Sequence, residues 1–409
     1  MTNEHQADKA DRNVYILGAG FSADAGAPLI LGFLDQARLL LDDPSSELDS
    51  VERDHFRRVF EFRRRMAQAR EKVRIDLDDM EQLFGLVEIS QRFGNEPPET
   101  RNSTVYLIAK TLQLTIESGR HNRGKYSLPV PTGGAEEIDN YFKASSGMSS
   151  SWIELRNVDQ YDYFIGLITG AFDPKGKRKY RKDTIITFNY DLVCENALGR
   201  LGYVANYHLP SKSVNDRRSV TPEKSCDLLK LHGSTNWGVC SACGTRVVIL
   251  PEKVTGSPSE FRAITCECGG KPFNPLLIPP SWDKSEYREI IASVWRKAAA
   301  ELSAATRICI IGYSMPETDG FFKYLLTMAL ARNHQLYKLI VVDYLDKRSQ
   351  PPSQPHQSYL RGRYESLLEP LFLKRRFHFF DDGLDRFLVH PYSREHLGRG
   401  ELLVETSLT

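Results

Sequence analysis

The feature that most constrains the fold is a glycine-rich turn that directly follows an apolar run near the start of the chain. Residues 14–28 read VYILGAGFSADAGAP. The run predicts a buried β-strand, and the small residues after it predict a tight turn into a helix. Gly18 permits the turn, Gly20 lets the backbone approach a pyrophosphate, and Ser22 adds a hydroxyl donor. A phosphate-binding loop is therefore predicted, with a strand-to-helix turn that holds no ligand as the alternative.

Four further apolar runs end in a glycine or a polar residue, as strands buried on both faces of a parallel sheet do. They read DTIITFNYD, DLLKLHG, RICIIGYS and KLIVVD. In such sheets the functional residues gather at the carboxyl ends of the strands. The pattern predicts an α/β fold with a Rossmann-like, doubly wound parallel sheet.

The intervals between these strands predict the domain organisation. We expect one Rossmann-like domain over residues 12–345, with a helical insertion at about 35–180 and a small zinc-ribbon insertion at about 237–280. Residues 346–409 are expected to form a loop and a helix, strand and helix that complete the domain. An ordinary dehydrogenase would place an acidic residue at the end of a second strand about 20 residues after the glycine turn. That region reads FLDQARLLLDD and predicts a helix, which argues against a recycled dehydrogenase cofactor.

Two motifs end neighbouring predicted strands and carry side chains suited to catalysis. TFNYD contains Asn189, which can hydrogen-bond a ribose hydroxyl or hold a water molecule, and KLHGS contains His232. Histidine titrates near neutrality and can act as a general base. A single histidine at a strand end is more often structural, but the convergence of these motifs with the glycine turn at one sheet edge favours a catalytic site.

Four of the seven cysteines fall in one short stretch, CSACG followed by CECGG. Their spacing is that of a four-thiolate zinc site, although the second pair is one residue tighter than Cys-x-x-Cys. A set of four thiolates without an open position predicts a structural zinc, and buried free thiols are the alternative. The predicted ligands are Cys240, Cys243, Cys266 and Cys268.

The strand RICIIGYS ends in a second glycine turn, and KLIVVD ends in an aspartate. Gly312 and Ser314 are candidates to face the adenosine half of a dinucleotide. Asp343 is a candidate for a ribose or adenine contact, with a helix cap or loop anchor as the alternative.

Charge and hydropathy exclude several classes of protein. Lys plus Arg number 54 and Asp plus Glu number 53, so no overall basic field exists to attract nucleic acid. The first residues are uniformly polar, and no apolar run approaches the roughly 20 residues that span a bilayer. We therefore expect a cytoplasmic protein without a membrane segment and without direct nucleic-acid binding.

Taken together, these motifs resemble the sirtuin superfamily, in particular the sirtuin-like domains of bacterial anti-phage defence proteins. The resemblance rests on GAGFSADAGAP, TFNYD, KLHGS, the cysteine ribbon, GYSMPETD and VVD, in that order. It implies a domain that binds NAD⁺ and breaks the bond between nicotinamide and ribose, so that NAD⁺ is a substrate.

The resemblance also implies roles for individual residues. Ala19, Gly20 and Ser22 would line the pyrophosphate and ribose, and Asn189 and Asp191 would lie on the nicotinamide side. His232 would be the catalytic base. The adenosine half would be held by Gly312, Ser314 and Asp343.

The chain departs from protein-deacylating sirtuins at three points. Those enzymes follow the glycine loop with Pro-x-Phe-Arg, whereas this chain reads PLILGF; Phe188 replaces the glutamine before the asparagine; and PLLIPPSWDK replaces the Phe-Gly-Glu segment that pairs with the acyl-lysine peptide. These departures favour an NAD⁺ hydrolase that depletes NAD⁺ in anti-phage defence. An NAD-dependent deacylase and a non-catalytic module that senses NAD or ADP-ribose are the alternatives.

The resemblance further implies protein partners. We expect a homo-oligomer formed through the helical insertion, and a regulatory partner such as a HerA-type ATPase or an Argonaute-like protein.

Overall fold

The computed structural model describes most of the chain that the motifs occupy. The described residues are 12–69, 72–73, 75–119, 159–171, 183–210, 214–216, 224–251, 261, 263–270, 273–278, 288–316, 320–343, 356–367 and 376–389. The sequence predicts loops at SGRHNRGKYSLPVPTGG and KASSGMSSS. The first two residues of the former belong to a helix, and the other residues of both lie outside the described residues.

Eleven strands form two sheets in the described part of the chain. They are β1 (Asn13–Leu17), β2 (Thr184–Thr187), β3 (Val204–Asn206), β4 (Val214–Asp216), β5 (Ser225–Lys230), β6 (Gly233–Cys240), β7 (Val247–Ile249), β8 (Phe273–Leu277), β9 (Arg307–Ile311), β10 (Lys338–Val342) and β11 (Phe377–Phe380). A seven-stranded sheet has the order β11-β10-β9-β1-β2-β5-β3, and a four-stranded sheet has the order β4-β7-β6-β8.

All pairs in the seven-stranded sheet are parallel, as the apolar runs predict. β1 lies at the centre and is completely buried. The chain continues from β1 to β2 on one side, whereas β9, β10 and β11 extend the sheet on the other side. The strand order reverses between β1 and β9, and in open α/β sheets this switch point is where ligands bind. The Rossmann-like fold class is thus confirmed.

The described helices flank this sheet, and six of them lie in the interval between β1 and β2. They are α1 (Ala19–Ser22), α2 (Phe33–Asp42), α3 (Ser50–Met66), α4 (Met80–Arg92), α5 (Pro98–Gly119), α6 (Gln160–Thr169), α7 (Val193–Arg200), α8 (Arg288–Ala304), α9 (Gly320–Ala331), α10 (His356–Leu367) and α11 (Gly383–Val389).

Helix α3 shows how local sequence sets the helical insertion. Asp49 and Glu52 form a reciprocal capping box at its start. Phe56 and Val59 on its apolar face are buried. Val51, near the start of the helix, lies off that face and is 49% exposed. Its five-residue spacing from Phe56 turns it about 140° around the helix.

The four-stranded sheet is built on β6, which pairs antiparallel with both β7 and β8. β6 begins at Gly233, directly after the predicted base His232, and β4 also belongs to this sheet, so the sheet includes residues before the predicted start at about 237. It has a small core of its own around Phe261. Gly238 makes room for that ring, because a Cβ there would lie 2.4 Å from it. Trp237 belongs instead to the main core, which joins the two sheets.

Among the residues that the structure describes, no helix is both long and apolar enough to cross a membrane.

Candidate functional site

Two glycine loops meet at the switch point of the seven-stranded sheet. The amide of Gly18 donates to the carbonyl of Ile311 (3.0 Å), and the amide of Gly20 donates to the carbonyl of Gly312 (2.9 Å). A Cβ on Gly18 would lie 2.6 Å from the Gly312 oxygen, and one on Gly312, whose φ is +59°, would lie 2.2 Å from the Phe21 nitrogen. Such distances exclude any side chain. The two loops are therefore locked together through their backbones.

This contact gives the glycines a role that the motif did not predict. Gly20 was predicted to let a pyrophosphate approach, but in the structure its backbone lies against Gly312, while its other side is exposed. Ala19 is half-buried beside it. The helix that starts here has only four residues and passes into a 3₁₀ turn at Ala23–Ala25. Few helical amides are thus available to face an anion.

Asn189, which follows β2, connects the first glycine loop to the neighbouring strand. Its side-chain nitrogen donates to the carbonyl of Gly18 (2.9 Å) and to the hydroxyl of Ser22 (3.0 Å). The Gly18 carbonyl can only accept, so this contact fixes which end of the Asn189 amide is the nitrogen. Both N–H groups are then engaged, and the half-buried side chain offers its oxygen Oδ1 as an acceptor.

Ser22 and Asp191 complete this network beneath Asn189. Ser22 is 1% exposed, and its hydroxyl donates to the Asp191 carboxylate. Burial raises the pKa of that carboxyl, while the charge of Lys230, the amide of Val193 and the Ser22 hydroxyl oppose the rise. The hydroxyl predicted to face a phosphate or ribose therefore bonds to protein groups instead.

His232 lies at the same edge, two residues beyond β5. It is 2% exposed, and the ring of Phe188 meets it edge to face at a centroid distance of 5.2 Å. Phe188 in turn stacks on Tyr313 at 4.4 Å, and Phe322 packs against both rings. The predicted base is therefore covered by an aromatic cluster formed by residues that follow β2 and β9.

We call Gly18, Ser22, Asn189, Asp191, His232 and Gly312 the sheet-edge site. These residues follow β1, β2, β5 and β9, and they lie at one edge of the parallel sheet, where the motifs were expected to meet. Lys230 and Glu195 adjoin the site, and sequence reasoning missed both. Lys230 is 1% exposed and lies 2.9 Å from the carboxylate of Glu195. The signal that could have found it is a lysine inside the apolar run DLLKLHG, where a buried charge needs a partner.

The four predicted metal ligands form the cysteine cluster, Cys240, Cys243, Cys266 and Cys268. All four sulfurs lie within 4.8 Å of one another. Cys240 and Cys268 are 3.7 Å apart, and Cys243 and Cys266 are 4.0 Å apart. Tetrahedral zinc with Zn–S bonds of about 2.3 Å places sulfurs about 3.8 Å apart. The cluster could therefore hold zinc, and the tight spacing of the second pair does not prevent it.

The surroundings of the sulfurs agree with a metal site. The backbone and hydroxyl of Thr245 lower the pKa of Cys243 to about 6. The backbone of Cys268 lowers the pKa of Cys266, but burial and the neighbouring sulfurs raise it to about 12. Four adjacent thiolates need a cation to coexist. Gly270 leaves room for them, because a Cβ there would lie 3.1 Å from the Cys240 sulfur.

Comparison with known protein families identifies the family that residues 183–364 resemble. Residues 183–364 match the model of the SIR2-like domain family. Residues 183–364 therefore form a SIR2-like domain. The matched stretch runs from just before β2 into α10 and includes Asn189, His232, the cysteine cluster and Gly312. The predicted sirtuin-superfamily domain is confirmed.

The comparison with solved structures finds structures of Sir2 at low sequence identity. A structure of Sir2 with a p53 peptide and NAD⁺ is 12% identical, with a TM-score of 0.36, over 93% of this chain and 92% of the other. A structure of Sir2 with the inhibitor EX-527, 2′-O-acetyl-ADP-ribose and deacetylated p53 peptide is 10% identical, with a TM-score of 0.35, over the same shares. A comparison with curated proteins found no significant match.

On the other side of the switch point, the SIR2-like domain places the predicted adenosine-binding residues at the ends of β9 and β10. The Ser314 carbonyl accepts from the guanidinium of Arg363 (3.1 Å). The backbone of Asp343 bonds to Phe380 and Gly383, so Asp343 also anchors the turn that enters α11. Glu317, Thr318 and Asp319 of the GYSMPETD motif lie outside the described residues.

The structure describes one of the two segments in which the sequence departs from the deacylase pattern, and only the start of the other. In PLILGF, Ile30–Gly32 form a 3₁₀ turn. Leu29, which precedes the turn, is 51% exposed, and Leu31 within it is 67% exposed. The start of PLLIPPSWDK forms the end of β8, and the stretch 279–284 lies outside the described residues.

Proposed function

We propose that the SIR2-like domain is an NAD⁺ hydrolase that cleaves the nicotinamide–ribose bond to give nicotinamide and ADP-ribose. The observation that carries the proposal is the orientation of Asn189. Gly18 and Ser22 take both of its N–H groups, so it presents an acceptor at the edge where the glycine loop and His232 meet. Such an acceptor can orient a water molecule through one of its hydrogens.

The proposed reaction balances without a further reactant. The C–N bond breaks, and nicotinamide leaves neutral with the bonding electrons, so positive charge develops on the ribose. The oxygen of the oriented water bonds to the ribose carbon, and His232 takes the proton. A base of this kind contributes roughly 10²–10⁴ in rate. The product ADP-ribose retains the pyrophosphate and adenosine half.

The roles predicted from the resemblance remain proposals for this site. Ala19 and Gly20 would line the pyrophosphate, and Gly312, Ser314 and Asp343 would hold the adenosine half. Ser22 and Asp191 would act from beneath, because their polar groups bond to each other and to Asn189. Nicotinamide would reach His232 beside Phe188 and Tyr313, which cover it.

Incubation of the purified protein with NAD⁺, followed by mass spectrometry of the products, tests the reaction. Wild type is expected to release nicotinamide and ADP-ribose without any peptide. Folded His232→Ala and Asn189→Ala variants are expected to lose measurable turnover. His378→Ala on β11, on the far side of the sheet, is a control expected to retain it.

Three results would overturn the assignment in different ways. Full activity in folded His232→Ala would remove the proposed base. Turnover that requires an acyl-lysine peptide would indicate a deacylase. Tight NAD⁺ or ADP-ribose binding without turnover would indicate a sensing module.

We further propose that the cysteine cluster holds a structural zinc. The sulfur distances and the absence of an open ligand position support this role. Atomic emission of the purified protein is expected to show one zinc per chain.

As a physiological role we propose depletion of NAD⁺ during anti-phage defence. A hydrolase that destroys NAD⁺ without return must be held inactive until it is triggered. We propose that this control acts through homo-oligomerisation and a partner such as a HerA-type ATPase or an Argonaute-like protein. In infected cells, wild type but not Asn189→Ala is expected to lower NAD⁺ and reduce phage yield, and equal phage yield with both would contradict the role.

A further inference from the structure

Lys230 and Glu195 form a buried ion pair whose presence is not explained by packing in the surrounding core. Both side chains are 1% exposed, and the Lys230 nitrogen lies 2.9 Å from Glu195 Oε1. Glu195 Oε1 also accepts from the hydroxyl of Tyr207 (3.0 Å). The other oxygen, Oε2, has no hydrogen-bond partner among the described residues. Burying two charges is costly, and replacing such a pair with neutral groups is often neutral or stabilising. Stability is therefore a weak reason for its presence.

The remaining hydrogen bonds of Lys230 point to a different reason. Its nitrogen donates to the carbonyl of Asp191 at short distance and lies 3.4 Å from the carbonyl of Tyr190. These two residues directly follow Asn189. The Tyr190 carbonyl also accepts from the amide of Thr235 (2.9 Å), whereas the bond shown to the Asp191 carbonyl comes from Lys230. Lys230 thus fixes the backbone just after the predicted water-binding residue.

The position of Lys230 in the sequence connects it to both proposed catalytic residues, Asn189 and His232. It is the last residue of β5, and His232 follows two residues later. One side chain therefore ties the loop that carries Asn189 to the strand end that carries His232. Glu195, in the first turn of α7, holds the lysine from the other side.

We propose that Lys230, held by Glu195, is a positioning residue that sets the distance between Asn189 and His232. This inference rests on the proposed hydrolase function, because the two residues it positions are the proposed water-binding group and base. With 1% exposure, neither side chain is accessible to a substrate.

The test replaces the pair with neutral side chains of similar size. In Lys230→Met/Glu195→Gln the glutamine keeps an acceptor for Tyr207, whereas the bonds of the lysine to the carbonyls and the ion pair are lost. The chain offers a matched control in the helical insertion, where Lys110 and Glu52 form a buried pair at 3.3 Å with exposures of 8% and 6%. Lys110→Met/Glu52→Gln makes the same chemical change away from the sheet edge.

Hydrogen exchange of the substrate-free proteins gives a readout that does not depend on activity. Amides of residues 188–193 are expected to exchange at least about tenfold faster in Lys230→Met/Glu195→Gln and at the wild-type rate in the control. Misplacement by about 1 Å can cost roughly 10²-fold in rate. We therefore expect kcat to fall about 10²-fold while KM changes little.

A conservative variant separates the hydrogen bonds of Lys230 to the carbonyls from its ion pair with Glu195. In Glu195→Gln the amide oxygen can still accept from Lys230, which keeps its bonds to the carbonyls. The unfolding free energy is expected to fall because the lysine loses its counter-charge, while exchange at 188–193 and kcat of the folded protein are expected near the wild-type values. If Lys230→Met/Glu195→Gln does not fold, Lys230→Gln/Glu195→Gln provides the same measurement with a polar side chain one atom shorter.

The outcomes are distinguishable. Unchanged exchange at 188–193 in a folded variant overturns the inference, and so does faster exchange with unchanged kcat. Equal loss of kcat in the Lys110→Met/Glu52→Gln control overturns it as well, since the effect would then be general. If wild type does not hydrolyse NAD⁺, the hydrolase proposal fails on its own, and faster exchange at 188–193 still supports Lys230 as the residue that positions this loop.

Discussion

The sheet-edge site and the cysteine cluster lie at the two ends of β6, yet they are held together by different means. His232 directly precedes this strand and Cys240 ends it, so roughly 25 Å of extended chain separates them. At the sheet edge, glycine backbones and a buried hydrogen-bond network fix the geometry without a metal ion. In the cluster, four sulfurs approach to distances that suit a shared cation.

The difference teaches where each region is vulnerable. The sheet-edge site depends on the shape of its backbone, so a single added methyl group can disrupt it. The cysteine cluster adjoins a core of only a few buried residues, and we expect its order to depend on the metal. The two regions should therefore respond to different perturbations.

Metal removal is the perturbation with the largest expected effect. Apparent zinc-binding energies of structural sites are about 10–16 kcal/mol, more than the small core beside the cluster can replace. Under strong chelation, or in Cys266→Ser, we expect the amides of β6 near Cys240 to lose protection from hydrogen exchange while those of β1 remain protected.

Cys309→Ala is the control, because it removes a buried thiol of the main sheet and should leave the zinc content unchanged. Full protection of the region around Cys240 after the metal has been removed would show that the cluster needs no cation.

Gly312→Ala should damage the sheet-edge site by a smaller but clear amount. The added Cβ would lie 2.2 Å from the Phe21 nitrogen, at a φ of +59°. Overpacking and the left-handed conformation together are expected to cost about 2–5 kcal/mol of unfolding free energy. Denaturant titration measures this loss, and the zinc content should not change.

Gly85→Ala provides the matched comparison for Gly312→Ala. Gly85 lies inside α4, and nothing lies within 4 Å of its Cβ position. Alanine there should raise the unfolding free energy by about 0.5–1 kcal/mol. Equal effects at both positions would contradict the close contact of the two loops.

Ser22→Ala tests the hydrogen-bond network at the sheet edge. It removes the donor to Asp191 and the acceptor for Asn189, which should cost about 1–3 kcal/mol and raise the pKa of Asp191 further. NAD⁺ turnover should fall because Asn189 loses its orientation. Ser303→Ala, which removes only a bond within α8, is the control and should have little effect on either quantity.

The strand ends and the cysteines were predictable because each depends on local sequence. Apolar runs that end in a glycine or a polar residue identified β1, β2, β5, β9 and β10. Parallel strands bring their carboxyl ends to one edge, so Asn189 and His232 could be assigned to a common site. Cysteine spacing likewise indicated the cluster.

What could not be predicted depends on contacts between distant segments. Gly20 and Gly312 are 292 residues apart in sequence, so the glycine pattern alone could not show that they face each other. Ser22 has the same motif position whether its hydroxyl faces a ligand or Asp191. β3 was missed because it is only three residues long, too short for an apolar pattern.

The smallest expected effect concerns a second charged group on β5, three residues before Lys230. Asp227 is about a quarter exposed and bonds to His208 (2.8 Å), with Lys297 at 3.4 Å. Burial raises the pKa of its carboxyl, but the hydrogen bond and charge of His208 and the charge of Lys297 outweigh this, and the net shift is downward. Its stabilisation is therefore complete above the unfolded pKa of about 3.9 and is lost as the pH falls through the lower folded value.

Asp227→Asn should thus lower the unfolding free energy by no more than about 1 kcal/mol at pH 6, as expected for a partly exposed pair. The difference from wild type should shrink as the pH falls towards 3, and denaturant titrations at several pH values measure it. Protonation of the cysteine cluster affects both proteins equally and cancels in the difference. A difference that grows on acidification would show that the charged form of Asp227 is destabilised in the folded state. NAD⁺ turnover of Asp227→Asn at pH 7 should be unchanged because Asp227, unlike Lys230, has no bond to the sheet-edge site.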